Sequence, residues 1–214
     1  MNPDIVIPHH NRWDLLEECL ESIPMDFNVF VIRGGTFAEN CNRGFRLTRG
    51  EYVIFLNDDC VVSEEGLRQM VLLRTDIVGS PLVFPDGIPQ MQGVETVWNR
   101  GARRWKNILT NDRSKVDYPS GAFFKIRRSV FKKLGQFSED YRNGAEDREL
   151  FMKAILNRCS ISYVEIPSVH HLSVSEGRMV YNRENDAIFA SRFGEKKAKK
   201  IYKLLKKTNE IFHY

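Results

Sequence analysis

The stretch that most constrains this chain is an apolar run that ends in two adjacent carboxylates. Tyr52 to Leu56 reads Tyr-Val-Ile-Phe-Leu without a polar break, and Asn57, Asp58 and Asp59 follow at once. Such a run is typical of a strand buried on both faces of a parallel sheet. Ligands of these sheets bind beyond the carboxyl ends of the strands, where paired carboxylates can hold a hard divalent cation. The plain alternative is a turn, since Asn and Asp favour turns.

Strand-like and helix-like segments alternate along the rest of the chain. This alternation predicts an α/β domain with a mostly parallel central sheet, helices on both faces and a helical C-terminus. The predicted strands are 4–8, 28–33, 51–57, 76–84, 89–98, 121–126, 161–166 and 168–172. The predicted helices are 12–23, 36–48, 63–74, 129–134, 146–157 and the segment from 182 onward. Their expected N-caps include Asn11, Thr36 (with Glu39 completing a capping box), Ser63 and Ser129.

Composition and charge indicate one globular domain with a basic tail. The 214 residues are 42% hydrophobic and 28% charged, and no apolar run approaches the roughly 18 residues of a membrane span. The N-terminus lacks the basic and apolar regions of a signal peptide, so we expect a cytoplasmic protein whose four cysteines are reduced thiols. Residues 195–214 carry seven lysines and two glutamates, so the domain proper, 1–194, is close to neutral although the chain is +4.

Three segments together resemble the inverting nucleotide-sugar glycosyltransferases of family 2, which have the GT-A fold. Residues 5–12 (Ile-Val-Ile-Pro-His-His-Asn-Arg) are similar to the family's first strand and turn. Residues 40–44 and 49–59 are similar to its second helix, its Gly-Glu-Tyr strand and its DxD-type site. Residues 121–128, 135–137 and 144–147 are similar to its acceptor-side segment and Glu-Asp motif. The ordered set spans residues 4–195 and implies a single Rossmann-like GT-A domain.

The chain departs from the family pattern at two places. The family usually has an acidic residue and a Ser/Gly turn after the second strand, followed by another helix and strand. Here Arg33-Gly34-Gly35 leads directly to the helix capped by Thr36, which leaves part of the usual base and ribose contacts missing. The first position of the DxD-type triplet is Asn57.

The resemblance implies roles for the polar residues at the strand ends. Asp59, with Asp58 as the near alternative, would hold Mn²⁺ or Mg²⁺, which suits oxygen ligands and phosphate partners. Asp147, with Glu146 beside it, would be the base that takes the proton of the attacking hydroxyl. The plain reading of these two acids is a favourable interaction with a helix dipole. The residues expected to hold the nucleotide are Pro8, His9, Asn11, Arg33, Asn57 and Asp58.

A histidine pair, His170 and His171, is implied to complete the metal site or to contact the diphosphate. Adjacent side chains of a strand point to opposite faces, so only one of the two can serve, and we favour His171. Gly121 and Ala122 are assigned to the acceptor side.

The remaining aromatic and basic residues have open interpretations. Trp98 and Trp105 can stack on a sugar or can anchor a core or lid. The basic segment 100–106 is expected to be a mobile loop that is either solvated or in contact with phosphates. The helix at 196–207 has an apolar stripe of Ala198, Ile201, Leu204 and Leu205. It can pack on the domain, lie on an anionic membrane surface at the inner face of a membrane, or, less favourably, contact nucleic acid.

These observations predict a metal-dependent inverting glycosyltransferase that uses a UDP- or dTDP-sugar and a glycan or lipid-linked acceptor. One alternative is a sugar nucleotidyltransferase, although the glycine-rich phosphate loop expected after the first strand is missing at residues 8–12. The other alternative is a module of the same fold that binds nucleotide or glycan without turnover. The shortened segment after Arg33 is the feature that suggests it.

Overall fold

The structure is a computed structural model that describes residues 2–99, 104–110, 112, 115–171 and 181–211. Its centre is a six-stranded mixed sheet with the order β11-β5-β10-β3-β1-β2, and a four-stranded sheet (β4-β12-β6-β7) and a two-stranded ribbon (β8-β9) flank it. The strands are β1 (Asp4–Pro8), β2 (Val29–Ile32), β3 (Tyr52–Leu56), β4 (Cys60–Val61), β5 (Ile77–Gly79), β6 (Leu82–Val83), β7 (Pro89–Met91), β8 (Gly93–Asn99), β9 (Arg104–Thr110), β10 (Phe123–Arg127), β11 (Ile161–Tyr163) and β12 (Ser168–His170). The helices are α1 (Trp13–Glu21), α2 (Phe37–Leu47), α3 (Glu64–Leu72), α4 (Arg128–Leu134), α5 (Glu146–Leu156), α6 (Asn182–Arg192) and α7 (Glu195–Ile211).

The predicted α/β architecture is confirmed, with one strand reversed. β1 pairs in parallel with β2 and β3, and β11 pairs in parallel with β5. β10 lies antiparallel between β3 and β5, so the sheet is mixed. The reversal brings the residues that precede β10 to the carboxyl end of β3, since Phe123 pairs with Leu56.

The core forms around β3, whose five residues are all buried as the unbroken apolar run predicts. Phe55 contacts three other aromatic rings, Phe124, Phe131 and Phe137, at centroid distances of 5.4, 5.0 and 5.3 Å. Offset and edge-to-face contacts of this kind add about 0.5–1.5 kcal/mol per pair to the burial of the rings. The carboxylates after β3 therefore follow a fully buried and densely packed strand.

Two of the four predicted N-caps are confirmed. Thr36 and Glu39 form a reciprocal capping box on α2, and the Ser63 side chain accepts from the Gly66 amide at the start of α3. The other two predictions are wrong because each helix takes an arginine at its N-cap position, Arg12 for α1 and Arg127 for α4, without a side-chain cap.

The predicted loop at 100–106 is also wrong in part. Residues 104–106 belong to β9, and Trp98 and Trp105 are directly paired in the β8–β9 register. Aromatic residues favour strands, and the pairing here gives a ribbon rather than a long loop. Arg100 and Arg103 lie outside the described residues, as do the side chains of both tryptophans.

The basic tail is helical, and its apolar stripe packs on the domain. Ala198 and Ile201 are fully buried, and Leu204 and Leu205 pack against the core cluster from its edge. The stripe is therefore used within the fold, whereas Lys196, Lys199, Lys200 and Lys203 face outward. None of the helices within the described residues has the length and apolarity needed to cross a membrane.

Candidate active site

The predicted site residues converge at one edge of the central sheet. β1, β2 and β3 are parallel, and Pro8 pairs with Ile32 while Val6 pairs with Phe55, so the three strands end side by side. His9 continues this arrangement beyond β1, because its amide donates to the Ile32 carbonyl at 2.8 Å. This is the crevice where open α/β sheets bind ligands.

Asp58 links the ends of β1 and β3. Its Oδ2 accepts from Nδ1 of His9 at 2.7 Å and from the His10 amide at 3.1 Å. The His9 ring is almost fully buried, and the Asp58 side chain is only 18% exposed. One oxygen of Asp58 already accepts two hydrogen bonds from the end of β1. Asp58 is therefore better placed to stabilise the turn after β3 than to bind a metal ion, which was the alternative role expected for it.

Asp59 faces His170. Oδ2 of Asp59 is 3.3 Å from Nε2 of His170, and both residues are buried. Nδ1 of His170 lies 2.6 Å from Oε1 of Gln90, while the Gln90 Nε2 donates to the His170 carbonyl at 3.2 Å. The second bond fixes the orientation of the amide, so Oε1 of Gln90 accepts from Nδ1 and Nε2 is the ring nitrogen that faces Asp59.

This geometry fits a divalent cation. The 3.3 Å between Nε2 of His170 and Oδ2 of Asp59 is the separation expected of two ligand atoms on one ion. The other oxygen of Asp59, Oδ1, is buried and has no hydrogen-bond partner among the described residues. A carboxylate and an imidazole whose second nitrogen is held by an amide form a usual ligand pair for Mn²⁺.

Our preference for His171 over His170 is not supported by this placement. Nε2 of His171 lies 3.2 Å from Oε2 of Glu18 on α1, and only the backbone amide of His171 contacts Asp59, donating to its carbonyl at 3.0 Å. The two side chains point to opposite sides as the strand period requires, and the cross-strand pairing of His170 with Cys60 directs His170 to the side of Asp59.

Asp147 lies on the other side of the segment that leads into β10. An added Cβ on Gly121 would stand 2.6 Å from Oδ2 of Asp147, so the carboxylate packs directly on the Gly121 backbone. The next carbonyl, that of Ala122, accepts from the Asn57 amide at 2.8 Å. The segment 121–122 therefore connects the acidic turn after β3 with the carboxylate of Asp147.

A turn with an unusual backbone aims the two acids at the start of α5. Asn143, Gly144 and Ala145 all have positive φ, at 48°, 154° and 75°. A non-glycine residue in this region costs energy and is often found where function requires it. Glu146 is buried and Asp147 is partly exposed, so Asp147 is the acid that a substrate can reach.

The predicted nucleotide-binding residues differ in accessibility. Pro8 and His9 are buried, whereas Asn11 and Arg33 are exposed at the ends of β1 and β2. The guanidinium of Arg33 lies 5.6 Å from the centroid of the Trp13 ring. Trp13 is 58% exposed and was missed by the sequence analysis, where its position in the first turn of a helix beside a strand end was the available signal.

The fold is that of the GT-A glycosyltransferases. A crystal structure of GalNAc-T7 with UDP, GalNAc and Mn²⁺ aligns over 82% of this chain and 44% of its own, with a TM-score of 0.64 and 19% identity. A structure of TarS residues 1–349 from S. aureus in complex with UDP-GlcNAc aligns over 96% of this chain and 70% of its own, with a TM-score of 0.63 and 19% identity.

The sequence comparisons assign the family. The family model described as glycosyl transferase family 2 matches residues 23–135, which is more than half of the chain, and the chain belongs to this family. A putative polypeptide N-acetylgalactosaminyltransferase 13 from Drosophila melanogaster is 32% identical over 61% of this chain and 26% of its own length. The chain thus spans about a quarter of that relative. The family match ends before Asp147 and His170, so their roles depend on the geometry described above.

Proposed function

We propose that this domain is a metal-dependent inverting glycosyltransferase that moves a sugar from a UDP- or dTDP-sugar to a hydroxyl of a glycan, a lipid or another polymer. The observation that carries the proposal is the facing pair of potential metal ligands, Asp59 and His170, with a second reachable carboxylate, Asp147, across Gly121. The ligands of the two similar structures, UDP and UDP-GlcNAc, favour UDP over dTDP. The four cysteines, all within the described residues, are unpaired, which supports a cytoplasmic site of action.

Asp59 and His170 would hold a divalent cation, with Mn²⁺ preferred over Mg²⁺ because one ligand is an imidazole. When bound, such an ion neutralises the charge that develops on the leaving diphosphate. The His9–Asp58 link keeps the turn that carries Asp59 fixed against the end of β1. This preorganisation holds the ligand atom in place before the donor binds.

Asp147 would accept the proton of the acceptor hydroxyl as that oxygen attacks the anomeric carbon. Its Oδ1 accepts from the Arg148 amide at 2.7 Å, which fixes the carboxylate and leaves Oδ2 to contact the substrate. A single displacement in which the hydroxyl oxygen enters opposite the leaving diphosphate inverts the anomeric configuration. The base and the cation site are on separate elements, α5 and the turn after β3, as attack from the opposite side requires.

Calorimetric titration of UDP and dTDP, each with Mn²⁺ or with EDTA, tests the donor site. We expect metal-dependent binding that is lost in Asp59→Asn and retained in Asp86→Asn. Asp86 is a matched control because it is an exposed aspartate whose Oδ1 accepts from the Ile88 amide, a contact that asparagine can keep. Failure of the folded wild-type protein to bind either nucleotide with metal present would overturn the proposal. Binding without transfer to any acceptor would favour the non-catalytic module, which the direct passage from Ile32 to α2 supports.

A further inference from the structure

A thiol lies at the candidate metal centre and has no role in the function proposed above. Ligand atoms of Asp59, Cys60 and His170 all lie within 4.8 Å of one another, and all three residues are buried. We propose that Cys60 Sγ is a third ligand of this centre, which therefore binds Zn²⁺, Co²⁺ and other thiophilic ions in preference to Mg²⁺. The inference depends on the metal centre of the proposed function and adds its ion selectivity.

The backbone register brings the thiol and the imidazole to the same face. Cys60 on β4 and His170 on β12 are directly paired in an antiparallel ladder, and directly paired residues project their side chains to the same side. Asp59 comes from the turn before β4, which is closed by a hydrogen bond from the Cys60 amide to the Asn57 carbonyl at 3.2 Å. The turn brings the Asp59 carboxylate to the side that the two strand residues share.

One of the ligand distances is that of a tetrahedral site, and the sulfur is near enough to complete the set after it moves. Ligand atoms around zinc lie about 3.3–3.8 Å from one another, given Zn–N and Zn–S bonds of about 2.0 and 2.3 Å. The Asp59–His170 separation of 3.3 Å already has this value, and the sulfur is within 4.8 Å of both. The thiol's present contact, with the Ala122 carbonyl at 3.8 Å, is weak, so a small rotation of the side chain can bring the sulfur to the ion.

The charge of the buried site also favours an ion that binds thiolate. When Zn²⁺ binds, the Cys60 proton is released to solvent, and the carboxylate of Asp59 and the thiolate together balance the two positive charges. Mg²⁺ does not displace a thiol proton, so it would leave the same buried site with one net positive charge and fewer ligands. Affinity of nitrogen, oxygen and sulfur sites also rises from Mn²⁺ through Co²⁺, and Zn²⁺ lies above Mn²⁺ as well.

Three protein ligands would leave the fourth position of a tetrahedral site for a water or a substrate atom, as in catalytic zinc sites. A phosphate oxygen of the donor can occupy it. Zn²⁺ and Mn²⁺ would then compete for one site, and Zn²⁺ would bind more tightly. The donor phosphate could contact whichever ion is bound.

Spectroscopy of the Co²⁺-loaded protein tests the inference without an activity assay. A Co²⁺–thiolate bond gives an intense charge-transfer absorption in the near ultraviolet, which carboxylate and imidazole ligands do not give. We expect this absorption in the wild type and its loss in Cys60→Ala and Cys60→Ser, together with at least about a tenfold loss of Zn²⁺ affinity. Mn²⁺ affinity should change by less than about threefold, because Mn²⁺ depends on the oxygen and nitrogen ligands.

Cys19→Ala is the matched control. Cys19 is also a fully buried thiol near the acidic turn, and its sulfur contacts the Asn57 carbonyl at 3.6 Å. This variant should keep the absorption and the Zn²⁺ affinity. Circular dichroism of each variant shows whether it is folded. Two different substitutions are made at Cys60 so that the test still holds if one of the two variants does not fold.

The outcomes separate this inference from the proposed function. Co²⁺ that displaces Mn²⁺ in the wild type without the charge-transfer absorption, or an absorption lost in Cys19→Ala and kept in Cys60→Ala, overturns the role of Cys60 and leaves the glycosyltransferase proposal intact. Failure of the wild type to bind Mn²⁺, Co²⁺ or Zn²⁺ at all overturns both.

Discussion

Gly121 packs so closely on Asp147 that a Cβ at position 121 would stand 2.6 Å from both Cβ and Oδ2 of the aspartate. Real Cβ atoms do not come this close to another heavy atom, so any side chain at 121 must displace the carboxylate. The contact spans 26 positions of the sequence and fixes the candidate base against the segment that enters β10.

Gly121→Ala therefore tests whether the position of Asp147 matters. We expect the variant to fold and to bind UDP with Mn²⁺ as the wild type does, because the Asp59 side of the site is untouched. Turnover should fall by about 100-fold, since a displacement of about 1 Å of a reacting group can cost that much. Gly194→Ala is the control, because its nearest contact would be an ordinary 3.9 Å. Unchanged turnover in Gly121→Ala would contradict the role of Asp147 or its required position.

Asp147→Asn and Asp59→Asn should fail in different ways. Asparagine at 147 cannot take a proton, and we expect turnover to fall by about 10²–10⁴-fold while UDP and Mn²⁺ still bind. Asparagine at 59 removes a charged ligand, and we expect metal-dependent UDP binding to be lost. Calorimetry and single-turnover rates on both variants check the separation, and loss of donor binding in Asp147→Asn would argue against its assignment as the base.

His170→Ala and His171→Ala distinguish the two histidines. We expect the apparent Mn²⁺ affinity, measured by electron paramagnetic resonance, to fall by at least about tenfold, or about 1.4 kcal/mol, in His170→Ala. His171→Ala keeps the backbone amide that donates to the Asp59 carbonyl and loses only the surface pair with Glu18, so it should bind Mn²⁺ normally. The reverse pattern would restore our first preference for His171.

The histidine pair shows how far the sequence can lead. The strand period predicts that the two side chains point to opposite sides, and the structure agrees. The strand period does not tell which side chain faces Asp59, because that depends on the pairing of His170 with Cys60, residues separated by 110 positions. Local features were easier to predict: the Thr36–Glu39 capping box needs only four residues and a helix start. The unbroken run at Tyr52–Leu56 likewise predicted the central buried strand.

Contacts between distant segments account for most of what the sequence analysis missed. The sequence analysis preferred Asp59 to Asp58 from the resemblance alone; the structural reason is His9, whose ring at the end of β1 contacts the Asp58 carboxylate. The closeness of Cys60 to the metal ligands depends on the β4–β12 ladder. The reversed direction of β10, which brings Gly121 to the site, is set by pairing with β3 and β5 and has no marker in the apolar pattern of residues 121–126.

Asp117 should make the stability of the domain depend on pH. The pKa of this carboxyl is raised to about 7, chiefly by burial and also by nearby Glu95, while the hydrogen bond from the Thr96 amide opposes the shift. The folded state therefore holds a proton that the unfolded chain releases near pH 4. This contribution to stability is complete below about pH 4 and is lost as the pH rises through 7, a change of about 4 kcal/mol.

Asp117→Asn should remove this dependence. The asparagine oxygen can still accept from the Thr96 amide, which is 2.6 Å from the carboxylate in the wild type. We expect the variant to be more stable than the wild type at pH 8 and similar to it near pH 4, as measured by urea unfolding. Asp86→Asn, at an exposed turn, should follow the wild-type profile. Parallel profiles for Asp117→Asn and the wild type would contradict the raised pKa.

Lys125 should make the domain more stable as the pH rises above 8, whereas Asp117 makes it less stable as the pH rises. Its side chain is fully buried in β10, and its Nζ donates to the carbonyls at the C-terminal end of α3, those of Met70, Val71 and Leu73. The pKa of this lysine is lowered to about 8, chiefly by burial and also by Arg74 and Arg127, while Glu51 opposes the shift. Between pH 8 and about 10.5 the unfolded chain holds a proton that the folded protein has released, so the unfolding free energy gains a term that rises with pH.

Lys125→Met isolates this term, because methionine fills a similar volume without a titratable group. Buried thiols and tyrosines titrate in the same range, and burial raises the pKa of groups such as Cys60 and Tyr52. They are present in both proteins and cancel in the difference. From pH 7 to pH 9.5 the wild type should gain about 2 kcal/mol of unfolding free energy relative to Lys125→Met. Urea unfolding at the two pH values measures this gain, and a difference that stays constant or shrinks would show that the three carbonyls hold the lysine in its charged form throughout.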